Sequence, residues 1–324
     1  MTPPREPSRR ELVKLGLLAG SAVAMTPWKR LFTEPPGGLV QQPLLAKVIP
    51  SSGERIPPVG IGTNAYNMSA ELRPALRDVM KRSVQLGGSV YDTATGYGRG
   101  ESESVLGELH TELGNRPKLF IVTKIVAPDN DLEQGRRLFA TSLERLKTER
   151  IDGLLVHNLG GADALIPAMR EWKREGKIRY YGISTSSSTQ YEALAGHLRK
   201  YPLDLVQLDY SLGNRGAAES LLPLARDRGV AVMVNRPFGG RRGANANFTK
   251  LAGVSLPGWA ADYDIKSWPQ FFLKYVLAHP AVTMAIPVTR RVEHVEDNLG
   301  AARGRLPDQA TRKKMEELFD GLPA

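Results

Sequence analysis

Cysteine is absent from all 324 residues, which excludes disulfides, thiolate metal sites, iron–sulfur clusters, cysteine nucleophiles and a cysteine-linked lipid anchor. Histidine is scarce, with five in the chain. They form neither a paired-ligand spacing nor an HExxH run, so no metal site is expected and metal-dependent hydrolysis lacks its ligands. No apolar run approaches the roughly 20 residues of a membrane-crossing helix. The one candidate, residues 15–25, is about half that length, so no stable membrane anchor is expected. The Gly-x-Gly-x-x-Gly turn that opens a doubly wound dinucleotide fold is also missing after the first strand-like run. Acidic residues are the minority, and the formal charge is +10. The basic residues are scattered among acids and form no nucleic-acid motif, so no nucleic-acid partner is expected, and an anionic cofactor accounts for the excess as well.

The N-terminus stands apart from the rest. Ser8-Arg9-Arg10-Glu11-Leu12-Val13-Lys14 precedes the apolar run, and Ala22-Val23-Ala24 offers a small-residue cleavage site. This order resembles a twin-arginine export signal, although Leu12 and Val13 stand where such signals favour Phe and Leu. The expected organisation is a signal peptide over residues 1–24, a linker over 25–44 and a catalytic domain over 45–324. The export machinery is then a partner, and the destination is the periplasm or another extracytoplasmic space. The alternatives are a disordered basic tail, or an inactive leader that leaves the protein in the cytoplasm.

From residue 45 a hairpin is expected, with arms at 45–49 and 55–58 around Ser51-Ser52-Gly53, followed by a strand ending at Thr63. Short apolar runs at 89–91, 119–123, 153–156, 178–183, 205–208, 231–234 and 282–286 read as further buried strands. Helical periodicity alternates with them at 70–86, 101–113, 132–146, 162–173, 189–198, 217–228, 268–278 and 292–301. Eight β–α units predict a (β/α)8 TIM barrel, which uses about 250 residues in one domain. Residues 308–321, with Met315, Leu318 and Phe319 at helical spacing, add a C-terminal helix.

On that frame Asp92 and Tyr97 follow the second strand, Lys124 ends the third and His157 ends the fourth, all on the rim where parallel barrels keep their chemistry. Carbonyl reduction needs a proton for the oxygen, and a phenol can donate it beside a lysine ammonium that Asp92 keeps charged. His157 would orient or polarise the carbonyl from a second side. A barrel lysine can instead form a Schiff base, making an aldolase, but then it must lose its proton, and Asp92 works against that.

The run Tyr91-Asp92-Thr93-Ala94-Thr95-Gly96-Tyr97-Gly98, continued by Gly100-Glu101-Ser102-Glu103 and Leu106-Gly107, closely resembles the aldo-keto reductase signature. Further segments agree in order: Gly60-Ile61-Gly62-Thr63, Val122-Thr123-Lys124, Val156-His157-Asn158, Gly176 through Ser184, Gln207-Leu208-Asp209-Tyr210, Arg236-Pro237-Phe238-Gly239, and Ile286-Pro287 leading to Asp297-Asn298. The resemblance implies that Asp92, Tyr97, Lys124 and His157 form the family's catalytic tetrad, with Tyr97 as general acid. It also implies NAD(P)H held in extended form across the barrel mouth, with Gly62, Thr63 and Asp92 on the cofactor side. Tyr210 would stack on the nicotinamide, and Ser184 and Gln207 would hold its carboxamide beside Thr185, which replaces a common asparagine. Pro237, Phe238 and Gly239 would lie near the pyrophosphate, and Asp297 and Asn298 near the adenine. Val288 and His294 depart from the residues frequent at the phosphate that separates NADP from NAD, yet Arg290 and Arg291 remain to pair with it, so NADP(H) is expected over NAD(H). The expected substrate is a small-molecule aldehyde or ketone. Its walls are sought in Tyr66, Asn158, Leu159 and the long connection 238–266 with Phe248, Trp259 and Tyr263, whose aromatics point to an apolar or planar compound. A non-catalytic, NADP-bound redox sensor or regulatory subunit, as some relatives resemble, would carry the same residues.

Overall fold

The computed structural model describes residues 42–240, 246–251 and 253–322. The expected signal peptide and most of the linker lie outside the described residues, as do the last two residues of the chain. The compact unit runs from Pro43.

A two-stranded antiparallel hairpin, β1 (Lys47–Val48) and β2 (Arg55–Ile56), opens it. Eight parallel strands follow: β3 (Ile61–Gly62), β4 (Val90–Asp92), β5 (Phe120–Ile125), β6 (Ile151–Val156), β7 (Ile178–Ser184), β8 (Leu205–Asp209), β9 (Ala231–Asn235) and β10 (Val282–Ala285). Each pairs with its neighbour in sequence, and the sheet closes where Val59 bridges Ala285 and Gly62 bridges Val288, both in parallel. The architecture is the (β/α)8 barrel. Helices alternate with the strands: α1 (Arg73–Gln85), α2 (Glu101–Glu112), α3 (Leu132–Arg145), α4 (Ala162–Arg174), α5 (Tyr191–Lys200), α6 (Leu221–Asp227), the single turn α7 (Ala246–Thr249), α8 (Trp268–Leu277) and α9 (Val292–Gly300), with α10 (Gln309–Asp320) last.

Proline sets two helix starts later than periodicity alone predicts. Pro74 and Pro223 lack the N–H that a helix interior needs and are best placed in a first turn. Hence α1 begins at Arg73 and α6 at Leu221, with a separate 3-10 turn at Gly216–Ala218. Side-chain caps fix others: Asp131 accepts from Gln134 N at the start of α3 and Asp308 from Thr311 N at the start of α10.

Strand side chains alternate between two cores. One stripe fills the barrel: Val90, Phe120, Val122, Leu155, Tyr180, Leu205, Ala231, Met233, Met284 and Ile286. Ile49 and Ile56 of the hairpin join this cluster and plug its N-terminal end. The other stripe, including Tyr91, Ile121, Leu154, Val206, Leu208 and Val234, packs outward against the helices. An even number of residues beyond the inward-facing apolar ones, at the C-terminal rim, the same face carries Asp92, Lys124, His157, Ser184, Gln207, Asn235 and Val288.

Candidate active site

The ammonium of Lys124 is wholly buried at that rim. It donates to both Asp92 carboxylate oxygens at 2.8 Å, to the Thr93 carbonyl at 2.8 Å, and reaches the Tyr97 hydroxyl at 3.5 Å. Burial works against its charge, but the Asp92 carboxylate and the Tyr97 oxygen outweigh that and hold its pKa above the usual lysine range. Gln207 Nε2 donates to Asp92 Oδ1 at 2.8 Å, so the carboxylate is fixed from a second strand end. Tyr97 starts a tight 3-10 turn in which Gly98, Arg99 and Gly100 all take left-handed dihedrals. Glycine is required at 100, where φ is +98° and a Cβ would lie 2.2 Å from the Arg145 guanidinium.

His157 follows β6 and meets the Tyr97 ring edge-on, with centroids 5.7 Å apart. Burial, followed by the charge on Lys124, lowers its pKa to about 4. The imidazole is therefore neutral near pH 7 and acts as a hydrogen-bonding group, without a positive charge of its own.

These groups open into a cleft of about 790 Å³ across the barrel mouth. Of the residues singled out in the sequence, Gly62, Thr63, Asp92, Tyr97, His157, Asn158, Ser184, Thr185, Gln207, Pro237, Phe238, Gly239 and Arg290 line it, and Lys124 lies buried against Asp92 and Tyr97. Ser184 Oγ donates to the Val156 carbonyl and Thr185 Oγ1 to Gln190. Asn158 holds a left-handed backbone, with Gln190 Nε2 donating to its carbonyl at 3.1 Å.

Five expected site residues are elsewhere. Tyr210 is fully buried, its ring stacked on Tyr275 and its hydroxyl between Tyr275 and Arg312, so it has no face for a nicotinamide. The reason is strand parity: position 210 continues the outward stripe of Val206 and Leu208. Tyr66 is buried beneath the rim, and Trp259 packs on Phe271. Asp297 accepts from Ser267 and Gln270, and Asn298 is buried on α9. The connection after β9 also differs from the expected aromatic wall. Phe248 packs between Phe238 and Phe272, and Tyr263 bonds Thr311, so only its first residues, 236–240, reach the cleft among those described.

Asn64, Ala65, Ser186 and Asn235 line the cleft without having been singled out, and Arg236, named only as part of a matched segment, lines it too. Counting in twos from Ala231 and Met233 reaches Asn235, so alternation held the signal that the motif match passed over. Its Nδ2 donates to the Thr185 carbonyl at 2.9 Å.

A polar strip of Ser184, Thr185 and Gln207 beside the tetrad leads to Arg236, and Arg290 also lies on the wall. Gly239 and Gly240 stand next to Arg236 with left-handed backbones, and Gly62 keeps the facing wall free of a side chain, where a Cβ would lie 3.0 Å from Val288. Two guanidinium groups and close-approach glycines fit a long anionic dinucleotide. Residues 58–317 match the aldo/keto reductase family model. The chain belongs to the aldo/keto reductase family. Methylglyoxal reductase YeaE of Escherichia coli (strain K12) is 30% identical over 255 residues, which span 78% of this chain and 88% of that relative. A Klebsiella pneumoniae aldo/keto reductase, solved in complex with NADP and acetate, superposes with a TM-score of 0.69 at 25% identity, covering 84% of this chain and 95% of that one. The holo form of an aldo-keto reductase from Bacillus halodurans gives 0.71 at 23% identity, covering 85% and 96%, a likeness of fold.

Proposed function

We propose that this aldo-keto reductase reduces an aldehyde or ketone to the alcohol, reversibly, with NADPH. The observation that carries the reading is the Lys124 ammonium, held by Asp92 and within 3.5 Å of the Tyr97 hydroxyl at the floor of a dinucleotide-sized cleft. Bound NADPH would supply the hydride. Tyr97 donates the proton to the carbonyl oxygen, Lys124 stabilises the phenolate left behind, and neutral His157 hydrogen-bonds the same oxygen. Ser184, Thr185 and Gln207 would hold the nicotinamide end, and Arg236 and Arg290 the phosphates. The Klebsiella relative's NADP complex supports the choice of cofactor. A charged, carboxylate-bound Lys124 is a poor amine nucleophile, which disfavours the Schiff-base aldolase.

Asn64, Ala65 and Asn158 line the cleft together with Tyr97 and His157, which favours a small, polar carbonyl compound over the apolar or planar one first expected. A single-turnover assay of NADPH oxidation against a panel of aldehydes and ketones tests the whole reading. Oxidation with small polar aldehydes, faster with NADPH than with NADH, is the expected result. Tight NADPH binding with no oxidation by any carbonyl would favour the sensor.

We also propose that the enzyme leaves the cytoplasm by the twin-arginine route, loaded with its cofactor, because that route carries folded proteins. Support comes from Arg9-Arg10, the short apolar run and Ala22-Val23-Ala24. Replacing both arginines by lysine is expected to hold the protein, uncleaved, in the cytoplasmic fraction. An unchanged distribution would return residues 1–24 to the reading of a basic tail.

A further inference from the structure

Behind the inward-facing tetrad, the outward-facing residues of the same strand ends form a second polar layer. We infer that Ser102, the second residue of α2, is a positioning residue for carbonyl reduction, acting through the Asp92–Thr93 turn; this rests on the function proposed above. Ser102 is wholly buried. Its Oγ lies 2.7 Å from Thr63 Oγ1, 2.9 Å from Thr93 Oγ1 and 2.9 Å from the Thr63 carbonyl, and Thr63 Oγ1 reaches the Asp92 carbonyl at 3.0 Å.

Three hydroxyls bring three protons, and with the Thr63 proton on the Asp92 carbonyl the other two can follow in order. Thr93 donates to Ser102, Ser102 to Thr63, and Thr63 to the Asp92 carbonyl. The chain grips the Asp92–Thr93 peptide at both residues, by the carbonyl of one and the side chain of the next. That turn supplies every acceptor nearest the catalytic ammonium: both Asp92 carboxylate oxygens and the Thr93 carbonyl, each at 2.8 Å. The contact from Lys124 to Tyr97, at 3.5 Å, is already at the limit of a hydrogen bond. A shift of the turn by a few tenths of an ångström carries the ammonium with it and loosens the contact on which proton donation depends. Ser102 does not itself line the cleft, so it acts only through Thr63, Thr93 and the turn they hold.

The test compares wild type with Ser102→Ala and Ser102→Cys by single-turnover NADPH oxidation at saturating aldehyde, with NADPH Kd and KM measured alongside. Ser102→Ala is expected to lower the single-turnover rate constant about 10- to 100-fold, with Kd and KM within about twofold, and Ser102→Cys to fall between. A merely structural hydroxyl would lower the amplitude, which counts folded molecules, and leave the rate constant alone; that result overturns the inference. If Ser102→Ala does not fold, Thr93→Val removes the donor to Ser102 at constant shape and carries the same expectation. Absence of turnover in wild type would instead overturn carbonyl reduction itself.

Discussion

The pairing of Asp92 with Lys124 has a cost that can be measured on each residue separately. Both are buried, and removing one partner leaves an uncompensated charge, a loss of about 3–5 kcal/mol. Lys124→Met should therefore be strongly destabilised in urea denaturation as well as inactive, and adding Asp92→Asn should recover part of the stability with none of the activity. Equal stability of the single and double variants would contradict the pairing. The order of Asp92, Tyr97, Lys124 and His157 along the chain was enough to gather them on one rim, because each follows a strand-like run. Their hydrogen-bond partners were hidden. Gln207, read as a carboxamide holder, also gives one of its two N–H groups to Asp92, and that contact is made by the distance between β4 and β8, which no local pattern encodes.

At the level of elements, the strands were legible because short β-branched runs between turns are unambiguous, and helix starts slipped where Pro74 and Pro223 override periodicity and where a 3-10 turn at Ser188–Gln190 precedes α5. Strand parity is the part that motif matching missed. It puts Tyr210 on the outward stripe with Leu208 and Asn235 on the inward stripe with Met233, whereas the motif order treats neighbouring positions alike. Tyr210→Phe tests the consequence. The variant loses hydrogen bonds to Tyr275 and Arg312, so its stability should fall by about 1–3 kcal/mol, while NADPH Kd stays within about twofold. A tenfold weaker Kd at unchanged stability would restore Tyr210 to the cofactor. The connection after β9 was misread for a related reason. Its aromatics are used to fasten that segment to α8, and length and composition alone do not say which way a loop's side chains turn.

Across the whole molecule, buried imidazoles tie stability to pH. His279, far along the chain from the tetrad, accepts from Ala281 N through Nδ1 and packs edge-on to Tyr210, and burial lowers its pKa to about 4. In the unfolded chain the same group titrates near 6.5. Between those values the unfolded state takes up a proton that the folded state refuses, so stability falls as pH drops from 6.5 towards 4 and is flat above. His157 acts in the same sense, whereas the buried carboxyls of Glu103 and Asp209, whose pKa values burial raises, act in the opposite one. The readout is therefore a difference: urea denaturation at pH 7 and pH 5 should show a smaller loss in His279→Gln than in wild type. Equal losses would mean that the imidazole protonates freely in the folded state.

The barrel, the cleft and the buried ion pair converge on one hydroxyl. Single-turnover oxidation of bound NADPH by a small polar aldehyde in Tyr97→Phe tests that convergence most directly. The expected result is an NADPH Kd close to wild type and an oxidation rate lower by about 10²- to 10⁴-fold, the range for loss of a general acid. Undiminished oxidation in the phenylalanine variant would show that the proton comes from elsewhere and that the tetrad does not do this chemistry.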